Sequence, residues 1–175
     1  MLRGLENVAR GLPPVEEWNP PHCGEIDIRI ARDGTWYHEG SPVGRKELVR
    51  LFSTILRKDP DGYHLVTPAE KMNITVEDAP FIAVLLRAEG TGRDQNLVFT
   101  TNVGDETVAD AGNPIRVETD PQTRAPSPYV HVRRGLEAKI ARPVFYQLAD
   151  LAVPGEDSVL GVWSGGMFFA LGTPA

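Results

Sequence analysis

Apolar residues along the chain switch between two spacings. In EIDIRIA (25–31), Ile26, Ile28 and Ile30 fall at every second position, the period of a strand with one buried face. An Arg-Asp-Gly turn follows, and Trp36-Tyr37-His38 reads as a second short strand. From Gly44 the period changes. In GRKELVRLFSTILRK, Leu48, Val49, Leu51, Phe52, Ile55 and Leu56 recur three and four apart, which predicts one amphipathic helix. Asp59-Pro60-Asp61-Gly62 stops it and opens a tight turn. YHLVT (63–67) and KMNITVE (71–77) then return to strand patterning around Pro68-Ala69-Glu70.

The same succession recurs beyond Pro80. FIAVLLRAEG and NLVFTTN flank TGRDQ as a hairpin, and NPIRVET and PYVHVRR are two strands joined by DPQTRAPSP. RPVFYQLADLA (142–152) predicts a second helix with Pro143 tolerated in its first turn, and SVLGVWSGGMFFALG predicts two strands about a Ser-Gly-Gly turn. Each half therefore reads strand, strand, helix, strand, strand. Overlaying the halves puts Ile28-Arg29-Ile30 on Ile115-Arg116-Val117 and Trp36-Tyr37-His38 on Tyr129-Val130-His131. Leu48, Val49 and Leu51 then fall on Phe145, Tyr146 and Leu148, and Ile74 on Leu171. The expectation is an α+β protein of two similar units from an internal duplication, each a small, mostly antiparallel sheet with one main helix. Its divisions are an extended, proline-rich arm over 1–24, pinned by Trp18, an N-terminal unit over 25–80 and a C-terminal unit over 81–175. The junction of two such units is the expected place for a ligand.

Composition narrows the function classes. With 41% hydrophobic and 24% charged residues the chain has globular composition. Its apolar runs, such as FIAVLL and MFFAL, are too short to span a bilayer, so no membrane insertion is expected. Glu6 interrupts the apolar positions of the first residues, which makes a poor signal peptide and leaves the cytoplasm as the expected location. A net charge of −6 argues against a nucleic acid polymer as partner. Arginine far outnumbers lysine, and the guanidinium fork suits carboxylate and phosphate, although a GC-rich genome enriches arginine too. The single Cys23 excludes an intrachain disulfide. His22, His38, His64 and His131 have no metal-ligand spacing, so no metal or other cofactor is expected.

The candidate chemistry is sparse. His38-Glu39 suggests a base and a carboxylate, but neighbours on a strand face opposite sides, and no GxSxG elbow supplies a nucleophile. Gly40-Ser41-Pro42-Val43-Gly44 leads into a helix whose free N–H groups and Arg45 would suit an anion, or Ser41 or Gly44 simply caps it. Arg116, Arg133, Arg134 and Arg142 either converge on a phosphate beside stacking Trp36, Tyr63 or Tyr129, or pair with Glu137 and other acids.

Several elements together resemble one bacterial family, domain of unknown function 1285. They are Trp36-x-His38-x-Gly40-x-Pro42, Leu51-Phe52, Asp61-Gly62-Tyr63, Thr67-Pro68-x-Glu70 and Val76-Glu77-Asp78-Ala79-Pro80-Phe81. Asn113-Pro114-Ile115-Arg116-Val117 and Pro128-Tyr129-Val130-His131-Val132-Arg133 continue the likeness, which runs from about residue 15 to near the end. The resemblance implies two duplicated α+β domains, the second superficially like pleckstrin-homology folds. It also implies an interdomain pocket for a nucleotide-like ligand and a role in signal transduction, with no established activity. Asn113 stands where that family is expected to carry a histidine.

The leading expectation is a ligand-binding or signalling module, with a signalling protein as further partner and no catalytic residue. Arg45, Arg116, Arg133 and Arg142 are the candidates for a small anionic or nucleotide-like ligand. Trp36, Tyr63 and Tyr129 would stack on it, and His38, Glu70 and Asp78 would direct hydrogen bonds. The alternatives are an enzyme using His38 or His131 with Glu70 or Asp78, and a protein-interaction module without a ligand.

Overall fold

The alternating isoleucines of EIDIRIA do form a strand, and it is longer than the pattern alone indicates. The computed structural model describes residues 11–172, so the first ten residues of the expected arm lie outside the described residues. Of the rest, Val15–Glu17 make a 3-10 turn, and β1 (His22–Ile30) takes in the last three residues of the expected arm. His22, Cys23 and Gly24 join the strand because Glu70, Lys71 and Met72 offer it parallel backbone partners. The arm is tied down by a guanidinium: Arg57 Nη1 donates to the carbonyls of Val15 (2.7 Å) and Trp18 (2.8 Å), while Val15 is wholly buried and Trp18 only half.

By internal contacts the chain divides between Asp78 and Ala79. The N-terminal unit continues with β2 (Trp36–His38), β3 (Ser41–Pro42), α1 (Lys46–Thr54), β4 (Leu56–Asp59), β5 (Gly62–Val66) and β6 (Glu70–Val76). These form one six-stranded sheet in the order β3-β2-β1-β6-β5-β4, antiparallel except where β6 runs beside β1. The helix is shorter than its periodicity predicts. Ser53 and Thr54 turn their hydroxyls back onto the carbonyls of Arg50 and Leu51, a bond that competes with helix propagation. Ile55 and Leu56 are then buried, and Leu56–Asp59 becomes a strand paired with β5 across the Asp-Pro-Asp-Gly turn. Neither Ser41 nor Gly44 caps α1. Arg45 holds the N-cap position without a side-chain cap, and Ser41-Pro42 form β3.

The C-terminal unit opens with the expected hairpin, β7 (Phe81–Glu89) and β8 (Asn96–Thr101), turning through the 3-10 segment Gly92–Asp94. Then come β9 (Glu106–Val108), β10 (Ile115–Thr119), β11 (Pro126–Arg133), β12 (Leu136–Ile140), α2 (Arg142–Asp150), β13 (Val153–Pro154), β14 (Leu160–Ser164) and β15 (Met167–Gly172). One sheet runs β10-β11-β12-β7-β8-β9, with β12 and β7 parallel, and β13-β14-β15 form a second. Buried Ser164 ties this second sheet to the rest of the unit. It accepts from Leu97 N–H (2.8 Å) and donates to Ala109 O (2.6 Å).

The duplication is plainer in the structure than in the sequence. Each unit contains three antiparallel strands, a nine-residue helix and three more antiparallel strands: β1-β2-β3, α1 and β4-β5-β6 in one, β10-β11-β12, α2 and β13-β14-β15 in the other. The unit-to-unit match differs in detail from the one read in the sequence. Glu39-Gly40 and Arg134-Gly135 are equivalent two-residue turns, with positive φ at both positions, which places His38 opposite Arg133 rather than His131. Counted from the first hairpin, Arg29 faces Tyr37 as Arg116 faces Tyr129, so Tyr37 and not Trp36 answers Tyr129. The two counts disagree because β11 is longer than β2 and carries an irregularity between His131 and Arg133.

Candidate functional site

The ten expected site residues divide between the units, six in the N-terminal unit and four in the C-terminal unit. In the N-terminal unit, Trp36 alternates inward on β2, is buried, and stacks on Phe52 of α1 with ring centroids 6.4 Å apart. It is core, and its face is not offered to a base. His38 points the other way. Its ring has no hydrogen-bond or ion partner among the described residues, and it lines a concavity of about 400 Å³ with Ile28, Pro42, Val43, Leu48 and Phe52. That wall is apolar and unsuited to a phosphate. Arg45 is exposed at the start of α1. Tyr63 is half-buried with Lys58 Nζ 5.6 Å from its ring centroid.

Glu70 and Asp78 sit at chain turns. Thr67 Oγ1 accepts from Glu70 N–H (3.1 Å), closing the β5–β6 connection. Asp78 is ion-paired with Arg32 (3.4 Å), while Glu77 takes Arg29 (2.7 Å) and the Arg32 N–H (2.8 Å). The hydrogen bonds from Arg32 and Arg29 hold the Glu77 carboxyl below the ordinary range. These acids fasten the end of β6 to the β1–β2 turn.

One histidine does meet carboxylates, and it is one that the residue spacing could not single out. His64 is buried between Asp59 (Nδ1 to Oδ2, 3.7 Å) and Asp61 (Nε2 to Oδ2, 3.6 Å). Asp59 is already neutralised twice, by the Arg57 fork at 2.9 and 3.0 Å and by Lys71 Nζ at 2.6 Å. Burial pushes the Asp59 carboxyl up, but the hydrogen bonds and charges of Arg57 and Lys71 outweigh it and bring it down to about 2. Burial first, then the Lys71 charge, lower His64 below its usual value and keep the ring neutral. A cation placed there would meet two resident cations, so the group reads as an internal ion network.

In the C-terminal unit the arginines are largely committed. Arg116 grips Glu137 with Nε and Nη2, both at 2.8 Å, also pairs with Glu118, and lies 4.4 Å over the ring of buried Tyr129. Those hydrogen bonds raise its guanidinium further above its ordinary value. Arg133, mostly buried, pairs with Asp105 and sits 5.0 Å over Phe81. Both are neutralised inside the unit. His131 is committed as well. Gly135 N–H donates to its Nε2 (2.9 Å), so the neutral ring carries its hydrogen on Nδ1, 2.9 Å from Asn113 Oδ1. Turning that amide round would reach the carbonyls of Val132 and His131, but both ring nitrogens would then have to accept, which a neutral imidazole cannot do.

Arg142 differs. It opens α2 and, with Ser127, Pro128, Lys139, Phe145 and Tyr146, lines a concavity of about 410 Å³. Its guanidinium has no acidic partner among the described residues, and Tyr146 leaves 60% of its surface exposed beside it. Lys139 and Tyr146 were not among the expected site residues. They are one strand and one helix turn away from residues that were, and only the tertiary fold joins them. A third concavity, about 830 Å³, lies between the β7–β8 turn and the β13-β14-β15 sheet.

The fold defines a duplicated α+β protein, with a mixed six-stranded sheet and one main helix in each half. Residues 13–79 match the N-terminal domain, and residues 80–171 the C-terminal domain, of the family described as a domain or protein of unknown function, DUF1285. The chain belongs to that family. It is similar to the crystal structure of a DUF1285 family protein from Silicibacter pomeroyi DSS-3, with 56% identity and a TM-score of 0.89 over 94% of this chain and 90% of the other. A DUF1285 family protein from Shewanella baltica OS155 is 26% identical, with a TM-score of 0.55 over 70% of this chain and 90% of that one. No curated protein matches. No helix among the described residues is long and apolar enough to cross a membrane.

Proposed function

We propose that the protein is a cytoplasmic ligand-binding module that takes a small anionic ligand of nucleotide type, passes its occupancy to a protein partner in signal transduction, and catalyses no reaction. One observation carries this reading. Arg142, unpaired among the described residues, shares a concavity of about 410 Å³ with Lys139, Ser127 and the exposed ring of Tyr146. Two cations suit a phosphate, a hydroxyl adds a directional bond, and an exposed ring offers a base a stacking face. Arg116 and Arg133 are poorer candidates, because a ligand would have to displace Glu137 or Asp105.

Acid–base catalysis has less support. His131 already uses both ring nitrogens, and His38 faces an apolar wall without a carboxylate partner among the described residues.

The test is a thermal-shift screen of mononucleotides, cyclic nucleotides, dinucleotides and inorganic phosphate. A ligand of the native state raises the melting temperature. At least one nucleotide is expected to do so, with the effect falling in salt and largely lost in Arg142→Gln and Tyr146→Leu. No shift in the wild type, or an equal shift in both variants, overturns the reading.

A further inference from the structure

The largest concavity described above is lined by none of the candidate site residues read from the sequence. Its geometry begins with Gln95, 94% inaccessible, whose side-chain amide donates to Trp163 O (3.0 Å) and whose carbonyl accepts from Gly165 N–H (3.3 Å). These two bonds staple the β7–β8 turn to β14. The turn residue Arg93 is thereby laid over the Trp163 indole, guanidinium carbon 4.2 Å from the ring centroid. Across the hairpin from Trp163 stands Phe168, edge-on with centroids 5.4 Å apart. Two glycines make room for that ring, since a Cβ on Gly155 would lie 2.6 Å from it and one on Gly161 2.5 Å. Val153, Pro154 and Val159 complete the apolar wall, and Glu156 lines the same space.

A guanidinium stacked through its face keeps its N–H donors pointing outward in the plane, where they match a carboxylate. Elsewhere the arginines of this acidic chain commonly meet acids: Arg29, Arg57, Arg87, Arg116 and Arg133 are all ion-paired. Among the described residues Arg93 is not ion-paired, although Asp94 is its neighbour and Glu156 lines the same concavity. A cation shelved on tryptophan, with no acidic partner among the described residues, at the mouth of an apolar cleft is complementary to a molecule with one anionic end and an apolar body.

We infer that this cleft is a second binding site, for a small carboxylate with an aromatic or aliphatic body, with Arg93 taking the carboxylate and Trp163 and Phe168 the body. The site is independent of the nucleotide reading above. It shares none of that site's residues.

The probes are 4-phenylbutyrate and its neutral counterpart 4-phenylbutan-1-ol, titrated by calorimetry, with the Trp163 indole N–H resonance followed by NMR. The carboxylate is expected to bind at least roughly tenfold more tightly than the alcohol, the size of one charge-assisted contact, and to shift the Trp163 resonance. Arg93→Gln is expected to bring the acid down to the affinity of the alcohol, while Glu156→Gln, removing a like charge, tightens the acid. Arg50→Gln, which deletes the same charge on α1, leaves the preference intact. Equal binding of acid and alcohol, binding of neither, an undiminished preference in Arg93→Gln, or an unmoved Trp163 resonance overturns the site. Melting curves of each variant confirm that it is folded when titrated.

Discussion

Arg116 lies 4.4 Å over the ring of Tyr129, its directly opposite neighbour across the β10–β11 hairpin, and Glu137 holds the guanidinium there from β12. The N-terminal unit repeats the device: Arg29 lies 4.3 Å over Tyr37, opposite it across β1–β2, and Glu77 holds it. An arginine between a cross-strand ring and an acid is thus part of the duplicated architecture. A residue that looked like half of a ligand site in one unit is the counterpart of a sheet latch in the other.

The latch has a measurable strength. A double-mutant cycle of Arg116→Met and Tyr129→Leu, followed by urea denaturation, is expected to give a coupling of about 0.5–1 kcal/mol, because the arginine is partly exposed. Nucleotide-induced thermal shifts should survive Arg116→Met. Their disappearance would return Arg116 to the ligand site.

Stability should fall on two acid limbs. His64 has a folded-state value below its usual 6.5, so the unfolded chain takes up a proton that the folded chain refuses, and stability is lost as pH drops below about 6.5. Asp59 is brought down to about 2 from 3.8, so its contribution is complete above about pH 4 and disappears as pH falls towards 2. Urea midpoints measured from pH 8 to 2 test both. His64→Gln should flatten the upper limb, and Asp59→Asn the lower. Unchanged slopes in both variants would contradict the network.

Much of the fold was legible, and the exceptions have physical causes. Ile26, Ile28 and Ile30 declared β1, and Pro143 correctly opened α2. LEAKI escaped notice because Leu, Glu, Ala and Lys are good helix formers. Their alternate burial as β12 is imposed by β11 on one side and parallel β7 on the other. LRKD read as the tail of a helix until its pairing with β5 took it. Glu39 looked chemical beside His38, yet its positive φ makes it half of a two-residue turn. Arg93 on Trp163 had no local signal at all, since its partner is distant in the chain and only Gln95 brings them together.

Trp36 should behave as core. It is 2% exposed, and its indole N–H has no hydrogen-bond partner among the described residues. Trp36→Ala is expected to cost roughly 3–5 kcal/mol. Trp36→Phe should cost much less, about 1 kcal/mol, since it also removes an unsatisfied donor. Chemical denaturation measures both. A cost for Trp36→Phe near that of Trp36→Ala would mean that the N–H is engaged after all.

Gly161 tests the packing under the Arg93 cleft. A Cβ there would come within 2.4 Å of Phe169 O and 2.5 Å of the Phe168 ring, and neither the paired strand nor the ring it carries can move freely. Gly161→Ala is therefore expected to cost about 2 kcal/mol or more in urea denaturation. Gly166→Ala is a useful contrast: none of the described residues lies within 4 Å of a Cβ there, but φ is +78°, so its cost of about 1 kcal/mol comes from the backbone alone. Adding Phe168→Leu to Gly161→Ala should recover only part of the loss, because the Phe169 carbonyl stays in place. Full recovery would show that the ring alone forbids the side chain, and a neutral Gly161→Ala would mean that β14 and β15 do not approach as closely as described.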